Sequence, residues 1–178
     1  MKNLQTTIYK QKACAGFTLI ELLLYVGIAS IMLLITSLFL STLLQSRIKN
    51  QTISEVEQQG LQVMQIITQA TRNAENISTP SIGASASSLT LEVLTGANDP
   101  TVFDLSGSTI SITEGASSAI LLTNSRVTAS GLTFQNLSRS ATPGTVRIQF
   151  TLTHVNPEGR NEYDFSRTFY GSASLRQP

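Results

Sequence analysis

The chain has 178 residues, of which 41% are hydrophobic and only 13% charged, with a formal net charge of +1. That length suggests one domain plus an anchor or tail, and the near-neutral balance gives no sign of a nucleic-acid partner. A single cysteine, Cys14, excludes an internal disulfide, so a domain outside the cell must rest on its own core and its neighbours.

Residues 1–16 are short, polar and basic, with Lys2, Lys10 and Lys12. Residues 17–44 (FTLIELLLYVGIASIMLLITSLFLSTLL) are apolar apart from Glu21 and scattered Ser and Thr. As a helix this stretch rises about 42 Å, enough to span a hydrocarbon core of about 30 Å with some tilt. The lysines before it favour a cytoplasmic N-terminus, although Arg47 and Lys49 on the far side weaken the asymmetry. A secretory signal fits poorly, because its apolar region runs about 7–15 residues and ends at a small-residue cleavage site. A lipoprotein signal also fits poorly, since Cys14 precedes the apolar run. A plain single-pass anchor is the simplest alternative.

Glu21 and Gly16 argue against that alternative. A carboxylate five residues into a membrane helix is costly and marks function, and no Lys, Arg or His lies within the span to pair with it. A new amino terminus would supply the cation if the chain were cut just before Phe17. Gly16-Phe17-Thr18-Leu19-Ile20-Glu21-Leu22 resembles the cleavage and methylation motif of type IV prepilins and type II secretion pseudopilins.

The resemblance covers residues 10–45 strongly and the remainder weakly. It implies that a prepilin peptidase cuts between Gly16 and Phe17 on the cytoplasmic side and methylates the new Phe17 amine. It also implies that Glu21 is the assembly carboxylate. In a filament core of apolar helices, Glu21 paired with a neighbour's Phe17 ammonium would set the axial register. The implied partners are the peptidase, other pilin or pseudopilin subunits, the inner-membrane assembly platform and membrane lipid. The implied location is the inner membrane, single-pass, with the C-terminal domain extracytoplasmic, and then a pilus or pseudopilus. Loss of the leader would remove three of 12 basic side chains and none of 11 acidic ones, leaving a formal side-chain charge of −2.

Beyond Leu44 the helical period continues. Ile53, Val56, Gly60, Val63, Ile67, Ala70, Ala74 and Ile77 form one stripe at spacings of three and four. One helix from Phe17 to Ile77 would be roughly 90 Å long, stopped by Ser78-Thr79-Pro80. A coiled coil is the competing reading. The small residues of the stripe favour packing against a sheet instead. Many major pilins carry a proline in the first half of this helix; here Gly27 is the only breaker in that half.

From residue 81 the pattern is β. Segment 81–88 reads as a small-residue loop, followed by strands over 88–94, 101–105, 108–113, 119–123, 125–129 and 131–137, the last with Leu132, Phe134 and Leu137 inward. TVRIQFTLT (145–153) alternates cleanly, with Val146, Ile148, Phe150 and Leu152 on one face. A turn at Asn156-Pro157-Glu158-Gly159 leads into a returning strand over 162–171, with Tyr163, Phe165 and Phe169 on one face.

The fold class is therefore α+β and pilin-like, a long N-terminal helix packed on a C-terminal antiparallel β-sheet domain. The divisions are a leader at 1–16, a membrane or filament-core helix at 17–44, its amphipathic continuation at 45–79 and the β domain at 80–178. The last hairpin resembles minor pilins and J-type pseudopilins.

Catalytic residues are not evident. His154, beside a turn, reads as exposed. No nucleophile elbow, phosphate loop or metal cluster occurs, and no cofactor is implied. Some major pseudopilins hold calcium near the C-terminal loop; Asn161, Glu162 and Asp164 offer oxygens but lack ligand spacing, so a solvated turn is preferred. Arg147 and Arg167 could share an exposed face and bind an anion such as DNA; a solvated face is preferred. The functional expectation is a structural subunit, minor by preference, of a type IV pilus or secretion-like pseudopilus. The alternatives are a major pilin, a competence (DNA-uptake) pseudopilin, or a membrane-anchored β domain with a binding role.

Overall fold

The computed structural model describes residues 16–140 and 142–176. A helix, α1, runs from Leu19 to Asn73, and its contacts divide the chain after Leu44 into two units. In the first unit every residue from Leu19 to Leu44 is exposed.

In the second unit, α1 buries Thr52, Val56, Gly60, Val63, Ile67 and Thr71. This is the expected stripe with its edges moved. Ile53 and Ala70 are only half-buried, and the neighbouring threonines take the inner positions. The Thr71 hydroxyl donates to the Ile67 carbonyl at 2.8 Å, which satisfies a polar group the core would otherwise penalise.

The helix ends at Asn73, not at Ile77 as expected. The Glu75 N–H donates to the Glu92 carbonyl at 2.8 Å and the Asn76 amide to the Glu92 carboxylate at 3.2 Å. Strand β1 (Asn76–Thr79) begins there. Ala74 and Ile77 are buried all the same. Strand pairing replaces one further helical turn, and Ala74 and Ile77 still reach the core.

The remaining strands are β2 (Ser85–Ala86), β3 (Leu89–Glu92), β4 (Thr101–Ser106), β5 (Thr109–Glu114), β6 (Ile120–Leu121), β7 (Val127–Asn136), β8 (Thr145–His154) and β9 (Ser166–Ser174). They form the expected antiparallel β domain as two sheets, β1-β3-β4-β5-β6 and β2-β7-β8-β9. Phe103, Phe134, Phe150, Ile67, Leu89 and Ile148 are fully buried in one core shared by α1 and both sheets.

Several local expectations change. The segments 125–129 and 131–137 are one strand, β7, with a bulge between Ser130 and Thr133. Gly131 lies in that bulge at φ +62, a conformation glycine adopts without steric cost. Leu137 lies beyond the strand and is exposed. The expected loop 81–88 contains β2, and the buried Asn136 amide holds the chain leading to it by donating to the Pro80 carbonyl at 2.7 Å. Tyr163 belongs to a 3-10 turn, Asn161–Tyr163, and β9 starts only at Ser166.

Helix and sheet meet closely at Gly60. The Phe169 ring stacks on Phe150, its partner across β8 and β9, with centroids 5.3 Å apart. Its Cζ end rests on Gly60, where a Cβ would lie only 2.0 Å from the ring. Glycine normally costs a helix interior up to about 1 kcal/mol relative to alanine. Here the missing Cβ lets the aromatic pair reach the helix backbone. Gly60→Ala is therefore expected to destabilise the chain despite its better helix propensity, by about 1–3 kcal/mol from overpacking. Thermal unfolding of the detergent-solubilised chain measures this, at about 2–4 °C per kcal/mol for a chain of this size. An unchanged or raised midpoint would show that Phe169 repacks freely.

Candidate functional site

The segment from Gly16 to Leu22 is built by the start of α1. Gly16, Phe17 and Thr18 lie outside the helix, which begins at Leu19. The Thr18 hydroxyl accepts a hydrogen bond from the Glu21 N–H at 3.3 Å, and the Thr18 carbonyl accepts one from Leu22 N–H at 3.1 Å. Thr18 is thus the N-cap, and Glu21 stands three residues into the helix. A carboxylate in the first turn is favoured there by the helix dipole.

The role of Thr18 was not among the sequence expectations, although its signal is present. Thr-x-x-Glu before an apolar run is the sequence pattern of a capping box.

Gly16 has open space around it: no atom lies within 4 Å of the position its Cβ would take. The Phe17 ring is exposed and meets Tyr25 edge-on, with centroids 5.9 Å apart. Glu21 is exposed and forms no ion pair among the described residues.

The surface beyond Glu21 is as unusual as the carboxylate. Leu19, Leu33, Phe39 and their neighbours have more than half their area open, and the most apolar 18-residue window of the helix has a mean hydropathy of 2.4. Residues 19–44 rise about 39 Å, long enough to cross a bilayer core. Three of the hydroxyls in this stretch are satisfied within it. Ser30, Thr36 and Thr42 donate to the carbonyls of Val26, Met32 and Leu38 at 2.8, 2.6 and 3.0 Å. That arrangement removes the cost of carrying them into an apolar medium.

The other residues considered from the sequence fall elsewhere. His154 is buried, not exposed. Its Nε2 lies 3.7 Å from a Glu55 carboxylate oxygen, and its ring stacks on Tyr163 with centroids 5.7 Å apart. Glu55 also faces the Arg126 guanidinium at 3.5 Å. This group ties α1 to β8 and to the chain entering β7.

Arg147 and Arg167 do not share a face. Arg147 pairs with Ser172 on the outer side, whereas Arg167 lies opposite the buried Leu152 and binds Glu57 of α1. The expected solvated turn at 161–164 is instead tied to the helix. The Lys49 ammonium donates to the carbonyls of Asn161, at 3.1 Å, and Asp164. The Glu162 carboxyl is held below the usual carboxylate range by its own backbone N–H and by Arg160, against the opposing effect of desolvation. Among the described residues no group of three or more His, Cys, Asp and Glu converges as metal ligands.

The Arg167–Glu57 pair is half exposed and is expected to contribute little. Arg167→Ala should cost no more than about 1 kcal/mol in the same unfolding measurement. A larger loss would locate a main helix-to-sheet attachment in this pair.

Residues 11–37 match the prokaryotic N-terminal methylation motif. Neither the curated proteins nor the solved structures contain a significant match to the chain. The motif opens a helix that is apolar and exposed over its first 26 residues and leads into two antiparallel sheets. By that N-terminal segment and that order of elements, the chain carries the signature of type IV prepilins and pseudopilins, in an α+β, pilin-like fold.

Proposed function

We propose that the chain is a structural subunit, of the minor kind, of a type IV pilus or a type II secretion-like pseudopilus. The observation that carries this reading is the methylation motif at residues 11–37 placed on a helix start whose apolar side chains are exposed and whose one charge is Glu21. The motif points to a structural subunit rather than to an enzyme.

In this reading a prepilin peptidase removes residues 1–16 and methylates the Phe17 amine. Residues 17–44 hold the subunit in the inner membrane and later form the filament core. Residues 45–79 continue the stem, and the domain 80–178 stands outside the cytoplasm. Other pilin or pseudopilin subunits and the inner-membrane assembly platform are its partners.

The assembly chemistry follows from the cost of burying charge. A free Glu21 carboxylate among apolar helices is uncompensated, as is a free Phe17 ammonium. Pairing them between neighbours removes both penalties, and only one axial offset allows it. Removing one member of a buried pair typically costs about 3–5 kcal/mol.

Mass spectrometry of the mature protein tests the processing step. A methylated phenylalanine at residue 17 is expected, and an intact Met1 start would reject the reading. For assembly, Glu21→Ala and Glu21→Gln are both expected to be processed normally yet to enter filaments poorly, measured as the ratio of filament-bound to membrane-bound subunit. Normal incorporation of either variant would sink the charge-pairing account. Copy number per purified filament tests the minor role, and several hundred copies would overturn it.

A further inference from the structure

We infer that Thr18 is a positioning residue for processing. By capping α1 it holds the Gly16–Phe17 bond outside the helix, in a form a peptidase can engage. The inference rests on the proposed processing, in which that bond is the one cut.

Peptide hydrolysis adds water to the Gly16 carbonyl carbon and breaks its bond to the Phe17 nitrogen. The products are a Gly16 carboxylate and a Phe17 amine, which takes up the proton. As water adds, negative charge develops on the Gly16 carbonyl oxygen, and an enzyme must place its own donors there. The oxygen therefore has to be free of the substrate's own N–H groups. In the structure it is: the Gly16 carbonyl accepts no backbone hydrogen bond among the described residues, and the first carbonyl to enter the α1 ladder is that of Thr18.

A helix starting two residues earlier would reverse this. Glycine is about as good an N-cap as threonine, so Gly16 is a competing start. With Gly16 as the cap, Phe17 becomes the first helical residue and the Gly16 carbonyl accepts from the Ile20 N–H. The reacting oxygen is then engaged and the bond lies in a helical turn.

Two features oppose the earlier start. The Thr18 hydroxyl satisfies the Glu21 N–H at 3.3 Å only when the helix begins at Leu19. The Glu21 carboxylate then sits in the first turn, where the dipole favours it, and an earlier start would move it into the second turn. The hydroxyl of Thr18 is thus the group that decides which residues are helical, and through them whether the scissile carbonyl is available.

The test uses the full-length precursor in membranes with a prepilin peptidase, measuring the initial rate of cleavage. Thr18→Val keeps the shape but cannot cap, and Thr18→Ala favours helix. Both are expected to be cut about five-fold more slowly, the size of shift a lost N-cap produces in a helix-start equilibrium. Thr18→Ser and Thr18→Asn, both good caps of different shape, are expected to be cut at least as fast as the wild type. Carbon chemical shifts of Gly16 and Phe17 in detergent should move toward helical values in Thr18→Val and not in Thr18→Asn. Wild-type rates for both Val and Ala would overturn the inference. So would a Thr18→Asn variant as slow as Thr18→Val, because the peptidase would then be reading the side chain itself. A wild-type chain left uncut between Gly16 and Phe17 is a separate outcome and would remove the processing reading instead.

Discussion

The first half of α1 is an apolar surface that the described residues leave open, and that constraint governs what the segment can carry. Eighteen large apolar side chains from Leu19 to Leu44 stand exposed. Covering each is worth about 1.5–3 kcal/mol, so the drive to place this surface in lipid or among other helices is on the order of tens of kcal/mol. Against such a surface a single carboxylate gains its meaning. Glu21 is tolerable in water or beside a cation, and costly elsewhere. The three back-bonded hydroxyls carry no comparable penalty, since their partners are in the same helix.

The same helix then changes environment without a break in its hydrogen bonding. After Leu44 the apolar positions narrow to one stripe, and that stripe is covered by strands instead of being left open. Gly60 marks where the approach is closest, under the stacked Phe169 and Phe150. Polar attachments flank the stripe. Lys49 holds the carbonyls of the 161–164 turn, Glu57 holds Arg167, and Glu55 faces Arg126 and His154. Exposed ion pairs contribute little individually, so the stability of this unit rests on the apolar stripe. The polar groups select the register in which the stripe is laid down.

Where the sequence misled, parity or pairing explains the error. The alternation that placed Val146, Ile148, Phe150 and Leu152 inward extends one step further to His154, which is indeed buried. Its position beside a turn suggested exposure, but the strand does not end before it. The face that carries Phe169 also carries Arg167, two residues earlier, so the arginine faces the helix and cannot join Arg147. The expected strands 125–129 and 131–137 join into one because a glycine at a strand boundary is compatible with a bulge as well as with a turn. Thr18 is legible as a cap from the spacing Thr-x-x-Glu ahead of an apolar run.

The sequence by itself determined the parts whose physics is local. An uninterrupted apolar run, a carboxylate at a set distance from a glycine, and a period of three and four each act within a few helical turns. They are readable without knowing what lies opposite. The existence of the helix, its two environments and the motif at its start follow from them. The tertiary structure decided everything that depends on a partner distant in the chain. It stopped α1 at Asn73 because Glu92 offered β1 a strand to pair with. It divided the strands into two sheets and turned His154 and Arg167 toward the helix. Composition cannot report these outcomes, because they turn on which long-range hydrogen bonds and strand pairings are completed.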